Sequence, residues 1–389
     1  MSVKKRPDGK WRARYYDSAG KEHSRHFARK VDAESWERDQ RAAVARGTHV
    51  DPAAGRETVR VYGERWRAAQ VQHRPETATK VEVITRLHVY PVLGDRRIAS
   101  VRRSDIQALV TAWSATAAPN SVASRFGWLA AIFKSATVDG VIGVSPCSMI
   151  RLPEVVGELV VPLTVAQVTA IHDAIAEPYR PAILVGAGCG PRISEVLGIT
   201  KDSVRFLSRD LDVRKQLSAR KPWRLVPVKS KNSPRTVPAP TFVTDALSQL
   251  TPGAMLGTLL HRGDETGEPI SQVMLSTAFA GAVLEVNRLA EERARGRKAG
   301  RTTEPELPTV PAGTTFHDLR HTYASMLIDG GESVTVVADR LGDTAAQVLK
   351  TYSHLWPDSA DRTRRIVDAA WSHQDQADEL RTVGSKDTG

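Results

Sequence analysis

The residues of this sequence best suited to act on a phosphate ester are two arginines and a tyrosine. His317 and Arg320 are three positions apart, and so are Arg192 and Glu195. Side chains at this spacing share one face of a helix, so Glu195 can hold the Arg192 guanidinium in place. A guanidinium is a planar donor that matches phosphate oxygens, and the phenol of Tyr352, with an ordinary pKa of about 10, ionises more readily than a serine. Such pairs also occur on ordinary helix surfaces, so spacing alone does not establish a site.

Three short helices are predicted to position the residues between 314 and 355. Thr315-x-x-Asp318 and Thr344-x-x-Gln347 are both typical of capping boxes, each of which starts a helix. A Gly-Gly pair ends the first helix. The predicted bounds are Phe316–Gly330, Ser333–Leu341 and, for the third helix, Asp343 or Thr344 to Tyr352.

The order of these features resembles the C-terminal half of tyrosine recombinases, the phage integrase family. The sequence has HDLRHTYAS, a Gly-Gly break, LGD and TYSH in succession, with GPRISE farther upstream. The family carries H-x-x-R, an LGH turn and a nucleophilic tyrosine usually followed by x-His, after a first arginine motif and a three-strand pattern. The resemblance implies that Arg192, His317, Arg320 and Tyr352 belong to one active site.

The resemblance also implies a catalytic lysine on a β-hairpin. Counting back from Pro238 favours Lys231, and Lys229 is the alternative. In the implied reaction Tyr352 attacks a DNA phosphorus, His317 accepts or steers its proton, and the lysine protonates the departing 5′ oxygen. The resulting 3′-phosphotyrosine is attacked by a 5′ hydroxyl of a second duplex, so the reaction needs no ATP, metal or cofactor.

Asp343 departs from the family pattern, which usually has His or Trp after the LG pair. An ionised carboxylate cannot donate to a phosphate and repels it at close range. We expect Asp343 to cap the helix that leads to Tyr352, with His354 or Thr344 replacing the missing donor. Activity is expected to be reduced but present.

Composition favours a polyanionic partner. The 389 residues carry a formal charge of +11, and residues 1–50 contribute thirteen Lys or Arg against seven Asp or Glu, a net +6. Cys147 and Cys189 lie far apart without companions, which argues against a zinc site and against a disulfide framework. The sequence has neither a signal peptide nor a run of about 20 apolar residues, nor a nucleotide-binding P-loop. These features predict the cytoplasm of a bacterial host and no membrane contact.

The sequence predicts a multidomain chain. An arm-type DNA-binding domain (1–50) with a small β-sheet and one helix precedes an all-α core-binding bundle (57–150). A mainly α catalytic domain with a small antiparallel sheet (163–375) and a C-terminal tail (376–389) follow. The first sheet is predicted to present one basic face to a major groove, formed by Lys10, Arg12, Arg14 and Arg25.

Within the two larger domains the pattern predicts the following elements. The bundle has four helices, at Val59–Gln70, Glu76–Tyr90, Arg103–Ser114 and Ser121–Asp139. The catalytic domain has strands at Leu211–Leu217, Arg224–Val228, Arg235–Pro238 and Met255–Leu260. A helix at Val273–Glu291 precedes a flexible basic and Pro-rich excursion (292–313), and a last helix covers 358–373 and docks on a neighbouring subunit.

The implied function is a site-specific recombinase that integrates or excises a mobile element. Its partners would be double-stranded DNA at core and arm attachment sites, three further copies of itself in a homotetramer, a DNA-bending host factor and a directionality factor. One alternative is a DNA-binding architectural or regulatory protein with an impaired site, which Asp343 favours. Another is a type IB topoisomerase, against which the three-part layout argues.

Overall fold

The computed structural model describes residues 2–17, 20–46, 54–155, 157, 159–229, 233–356, 363–365, 367–369 and 371. The chain forms two compact units, Met1–Gly157 and Glu158–Gly389. The predicted C-terminal helix (358–373) lies outside the described residues except for 363–365, 367–369 and 371, which are helical. The predicted tail (376–389) lies wholly outside them.

The first unit begins with a three-stranded antiparallel sheet and one helix packed on it. The elements are β1 (Val3–Lys5), β2 (Trp11–Tyr16), β3 (Glu22–Phe27) and α1 (Lys30–Ala45). Ala13 and Tyr15 are fully buried, and the Tyr15 ring lies 5.3 Å from that of Trp36 on α1. Because side chains alternate along a strand, Arg12 and Arg14 point to the face that α1 leaves uncovered, where both bond Glu22.

The prediction that four basic residues share one face of this sheet is wrong for two of them. Arg25 pairs with Ala13 across the ladder and therefore lies on the helix side. Lys10 precedes β2, in the turn that joins it to β1. Lys4, opposite Arg12, belongs to the uncovered face instead. The predicted set was Lys10, Arg12, Arg14 and Arg25.

The predicted helical bundle is present. Its elements are α2 (Val59–Ala68), α3 (Pro75–Ile84), α4 (Tyr90–Leu93), α5 (Arg103–Ser114) and α6 (Pro119–Val138). The second predicted helix is divided by a π turn, Thr85–Val89. This wider turn comes just before Pro91, which has no N–H to continue an α-helical ladder. The bundle core includes Val59, Tyr62, Leu93, Ile106, Leu129 and Phe133.

The second unit is mainly helical. Its helices are α7 (Val165–Ala174), α8 (Arg180–Cys189), α9 (Ile193–Val196), α10 (Thr241–Ser248), α11 (Gln272–Lys298), α12 (His317–Asp329), α13 (Val334–Leu341) and α14 (Ala345–Tyr352). Helix α8 packs against α12, and a Cβ at Gly186 would lie 2.9 Å from Leu319. This close packing brings the residues that follow α8 next to those on α12.

The strands of this unit form two small sheets rather than one. They are β4 (Val204–Arg205), β5 (Asp210–Val213), β6 (Lys215–Leu217), β7 (Leu225–Pro227) and β8 (Arg235–Pro238). The predicted strand Leu211–Leu217 is interrupted at Arg214, and β5 pairs with β8 while β6 pairs with β7. The predicted strand Met255–Leu260 is wrong, because that segment makes only an isolated bridge from Thr258 to Thr200.

The predicted flexible excursion is anchored. Helix α11 runs seven residues beyond the predicted end at Glu291. Arg293 pairs with Glu304 at 2.5 Å, and the amide of Asn287 exchanges two hydrogen bonds with the backbone of Val310. Residues 292–298 are therefore helical, and these contacts anchor the returning chain at Glu304 and Val310. The flexibility of residues 292–313 stays a prediction.

Helix α11 is long and apolar enough to cross a membrane, judged by its length and composition alone. Its best 18-residue window has a mean hydropathy of 1.2. One apolar face of α11 packs in the core of the second unit, as expected of an amphipathic helix at the surface of a domain. That face comprises Leu275, Phe279, Val283 and Val286.

Candidate active site

Arg192 is placed by the sharp turn that ends α8. Gly190 has φ +66°, a left-handed conformation that favours glycine, and a Cβ there would collide with the Tyr323 ring. Arg192 then begins α9 as its N-cap residue. The Glu195 carboxylate accepts the Arg192 backbone N–H at 2.9 Å and its guanidinium at 3.1 Å. The predicted Arg192–Glu195 contact is therefore present.

Glu195 also holds a second arginine that the sequence analysis did not single out. The Arg235 guanidinium lies 2.9 Å from Glu195, and both side chains are about 1% exposed. Arg235 also donates to the carbonyls of Arg340 (2.8 Å) and Ser233 (3.0 Å). Burial alone would raise the pKa of Glu195, but Arg235 and Arg192 outweigh it and hold the pKa below its ordinary value. Glu195 is thus an ionised carboxylate that fixes two guanidiniums.

Arg320 lies on α12 with its side chain buried. It donates to the carbonyl of Gly190 at 2.8 Å, to that of Leu341 at 2.7 Å, and to the carboxylate of Asp343 at 2.6 Å. Burial and the nearby Arg192 lower the pKa of Arg320, and Asp343 opposes the shift. Arginine remains charged at neutral pH in spite of this, because its ordinary pKa is above 12.

Asp343 joins the two arginines. One of its carboxylate oxygens lies 2.5 Å from the Arg192 guanidinium, and the other lies 2.6 Å from that of Arg320. The residue before it, Gly342, ends α13 with φ +66°. The expectation that Asp343 caps the next helix is wrong, since the N-cap of α14 is Thr344, whose hydroxyl accepts from the Gln347 N–H.

Tyr352 is the last residue of α14 and is 3% exposed. Its hydroxyl lies 2.7 Å from Nδ1 of His321. Burial raises the pKa of Tyr352 to about 12, and the charges of Arg320, Asp343 and Arg192 also act on it. The phenol therefore lies within the field of the two arginines and is protonated at neutral pH.

The two histidines of α12 lie side by side. The rings of His317 and His321 are perpendicular, with centroids 4.7 Å apart. Burial lowers the pKa of both, that of His317 to about 4, with His321 and Arg320 adding to the His317 shift. Both imidazoles are therefore neutral at pH 7 and able to accept a proton.

Comparisons with known proteins identify the family of this chain. Residues 162–358, just over half of the chain, match the model of the phage integrase family. The chain belongs to the phage integrase family of tyrosine recombinases. Over 363 residues it is 24% identical to a putative prophage phiRv2 integrase of Mycobacterium tuberculosis, covering 89% of each chain.

Two solved integrases have a similar fold. The Tn1549 transposon integrase, solved with a circular intermediate DNA, matches with a TM-score of 0.64 at 20% identity, covering 80% of this chain and 99% of the other. The lambda integrase dimer bound to a core site matches with a TM-score of 0.52 at 16% identity, covering 89% of this chain and 94% of the other. At these identities the matches establish the fold alone.

The integrase site predicted from the sequence is only partly assembled within the described residues. Arg192, Arg320 and Asp343 form one cluster, and His317 and Tyr352 both adjoin His321. Lys231 lies outside the described residues, and the alternative, Lys229, is exposed. No group of three or more His, Cys, Asp or Glu that could hold a metal occurs in the described part of the chain.

The sequence analysis did not predict two residues that lie at this integrase site. It also proposed two residues to replace the phosphate donor absent at position 343, and both lie elsewhere. The missed residues are Arg235, which begins β8, and His321, which directly follows Arg320 and is four positions after His317. The i, i+4 spacing of the histidines was the available signal for His321. His354 bonds the carbonyl of Val160, and the Thr344 hydroxyl accepts from the Gln347 N–H as the cap of α14. Within the described part of the chain, neither is hydrogen-bonded to Arg192 or Arg320.

Proposed function

We propose that this chain is a site-specific DNA recombinase that cuts and rejoins DNA through a 3′-phosphotyrosine intermediate. The observation that carries the proposal is the convergence of Arg192 and Arg320 on the two oxygens of Asp343. Two guanidiniums that hydrogen-bond the two oxygens of a carboxylate in this way can also bind two non-bridging oxygens of a phosphodiester. The nucleophile candidate, Tyr352, lies in the field of the same charges.

The reaction follows from these positions. A DNA phosphate replaces the Asp343 carboxylate between Arg192 and Arg320, and the Tyr352 oxygen attacks its phosphorus. The bond from phosphorus to the 5′ oxygen breaks, and Lys231, or alternatively Lys229, protonates that oxygen. The phenolic proton passes to a histidine, for which His317 is the sequence-predicted acceptor. Attack by a 5′ hydroxyl of a second duplex reverses these steps and joins the strands.

The two arginines supply most of the stabilisation in this scheme. Negative charge grows on the non-bridging oxygens as the phosphorus becomes five-coordinate, and fixed guanidiniums need no reorganisation to meet it. Arg235 and Glu195 contribute by holding Arg192 in place. The positive charge that metal ions supply at other phosphoryl-transfer sites comes here from side chains.

The proposal extends to the division of labour along the chain. Residues 1–50 would bind arm sites through the uncovered face of the first sheet, 57–150 would bind the core site, and 163–375 would catalyse. Relatives solved on DNA, including a lambda integrase tetramer on a Holliday junction, support DNA binding and a homotetramer. Integration or excision of a mobile element, with a DNA-bending host factor and a directionality factor, would take place in the bacterial cytoplasm.

A second candidate function is a DNA-binding protein of the same fold with impaired catalysis. It is favoured by one observation, the carboxylate of Asp343 where the family usually has His or Trp. Asp343 satisfies both arginines internally, so a phosphate must displace it before any reaction can begin. A protein in which that displacement never occurs would bind DNA without cutting it.

The test is a covalent-adduct assay on a nicked attachment-site duplex. Sequencing the DNA that flanks the gene identifies paired end repeats, from which the duplex is made. We expect a DNA–protein adduct that is resistant to denaturant, lost in Tyr352→Phe and retained in Tyr179→Phe, a tyrosine far along the chain from α14. DNA binding with no adduct at any pH between 6 and 9 would instead support the second candidate.

A further inference from the structure

His321 is the histidine that contacts Tyr352, the candidate nucleophile. The sequence analysis had assigned the role of proton acceptor to His317. Nδ1 of His321 lies 2.7 Å from the Tyr352 hydroxyl oxygen, and the two ring centroids are 5.6 Å apart. The contact joins α12 to the end of α14, 31 residues apart in sequence. A hydroxyl and an imidazole nitrogen at this distance share one hydrogen.

We propose that His321 is a further catalytic residue, which takes the phenolic proton of Tyr352 as its oxygen attacks phosphorus. The inference rests on the proposed function and assigns one of its proton transfers. The O–H bond of Tyr352 breaks, and the proton goes to Nδ1 of His321. The electron pair of that O–H bond becomes the new bond to phosphorus, while the 5′ oxygen leaves with the pair of the bond that breaks.

The need for an acceptor follows from the burial of the phenol. Burial raises the pKa of Tyr352 to about 12, so on the order of one molecule in 10⁴ or 10⁵ carries the phenolate near neutral pH. If the proton moves to a neutral imidazole while the Tyr352 oxygen attacks the phosphorus, the reaction does not depend on the rare phenolate. Burial keeps the pKa of His321 below its ordinary value, so the ring is neutral at pH 7 and can accept a proton at Nδ1, although burial also makes it a weaker base.

The charged and titratable groups around His321 determine how stable its protonated form is after the transfer. Asp318, on the same helix, favours the imidazolium, whereas Arg320 opposes it. The rings of His317 and His321 are perpendicular, and His321 contributes to the lowered pKa of His317. On α14 the facing group is Tyr352 itself. The Asp318 carboxylate therefore partly offsets the cost of a buried imidazolium beside Arg320.

His317 is less well placed for this step. Among the described residues, the Tyr352 hydroxyl is hydrogen-bonded to the side chain of His321. The ring of His317 packs against His321 and not against the phenol. His317 is the first residue of α12, where part of its side chain is exposed while its ring packs against His321. That position suits a donor to an arriving phosphate oxygen.

The test replaces His321 by Asn, whose amide oxygen occupies nearly the place of Nδ1. The variant can still accept the Tyr352 hydrogen bond, but it cannot take up the proton at neutral pH. We expect DNA binding and the melting temperature to stay near those of the parent, while the rate of adduct formation falls by 10²-fold or more. His172→Asn, at a histidine that pairs with Asp173 on the surface, should leave the rate unchanged.

A more acidic phenol separates proton transfer from a merely structural role. With 3,5-difluorotyrosine at position 352 the need for an acceptor falls, so the rate of His321→Asn should recover by about tenfold or more relative to the parent carrying the same substitution. Should His321→Asn unfold, His321→Gln carries the same comparison. A variant that cleaves at the parent rate, or a deficit that the fluorinated phenol does not relieve, would overturn this inference alone. A parent that forms no adduct would overturn the proposed function and this inference with it.

Discussion

The Asp343 carboxylate lies 2.5 Å from the guanidinium of Arg192, which precedes it by 151 residues. Its other oxygen meets the buried Arg320 at 2.6 Å. Two positive side chains that would otherwise repel each other are thus held together by an anion from the chain itself. In the proposed reaction, a DNA phosphate that binds both guanidiniums takes the place of that anion.

The first prediction concerns this exchange. In Asp343→Asn the two guanidiniums lose their shared charge partner, so the unfolding free energy should fall by about 1–3 kcal/mol. Inorganic phosphate should then raise the melting temperature of the variant more than that of the parent, because the arginines are open to it. The matched control is Asp339→Asn, at a surface pair with Arg340. An equal phosphate response in parent and variant would show that the carboxylate does not occupy the anion site.

A second prediction addresses catalysis. Asp343→His replaces an acceptor-only side chain with one able to donate to a phosphate oxygen, so the rate of adduct formation on nicked DNA should rise. The measurement is the initial rate at saturating DNA, which separates chemistry from binding. A lower rate would mean that the site is built around the carboxylate.

The third prediction concerns the buried pair of Glu195 and Arg235. Removing one member leaves an uncompensated charge in the interior, so Arg235→Met should lower the unfolding free energy by about 3–5 kcal/mol. Arg205→Met, at the exposed pair with Asp212, should cost far less, because solvent screens an exposed ion pair. Urea unfolding of the two variants decides the matter, and equal losses would refute the special role of the buried pair.

The fourth prediction is a dependence of stability on pH. The folded chain lowers the pKa of His317 from an ordinary 6.5 to about 4. Below about pH 6.5 the unfolded chain therefore takes up the proton first, and stability falls as the pH drops toward 4. His317→Gln should reduce the proton uptake on unfolding at pH 5 by up to one proton, as measured from urea midpoints between pH 7 and 5. His172→Gln serves as control, and an unaltered slope in His317→Gln would contradict the assignment.

The fifth prediction tests the uncovered face of the N-terminal sheet. Arg12 and Arg14 lie on that face, whereas Arg25 lies on the helix side over Phe27. The affinity of a protein for DNA falls as the salt concentration rises, and each phosphate contact makes this fall steeper. If the face contacts arm-site phosphates, Arg12→Gln and Arg14→Gln should each make the plot of log affinity against log salt less steep by about 0.9. Arg25→Gln should change it little. The reverse ranking would place DNA on the other side of the sheet.

The sequence was informative where local patterns determine structure. Thr344 is the N-cap of α14 as predicted, and α12 begins at His317, one residue after its predicted start, although its N-cap is Phe316 and not Thr315. The 3-residue spacing of Arg192 and Glu195 produces the contact expected of it. Motif order predicted one site for Arg320 and Tyr352, and the charge of Arg320 does act on the Tyr352 phenol in the structure.

Long-range partners were beyond such patterns. Asp343 was expected to cap a helix, because nothing local reveals that two arginines, 151 and 23 residues earlier, converge on it. The same applies to Arg235 with Glu195, 40 residues apart. The break at Arg214 was missed because each half of the run is a good strand by itself, and only pairing with different partners separates them.

Ser233 connects the start of β8 to Arg192 through a short series of buried contacts. Ser233 is buried, and its carbonyl accepts from the Arg235 guanidinium, which also pairs with the Glu195 carboxylate that holds Arg192. A distortion of the backbone at Ser233 would therefore displace the Arg192 guanidinium without altering any residue that touches it.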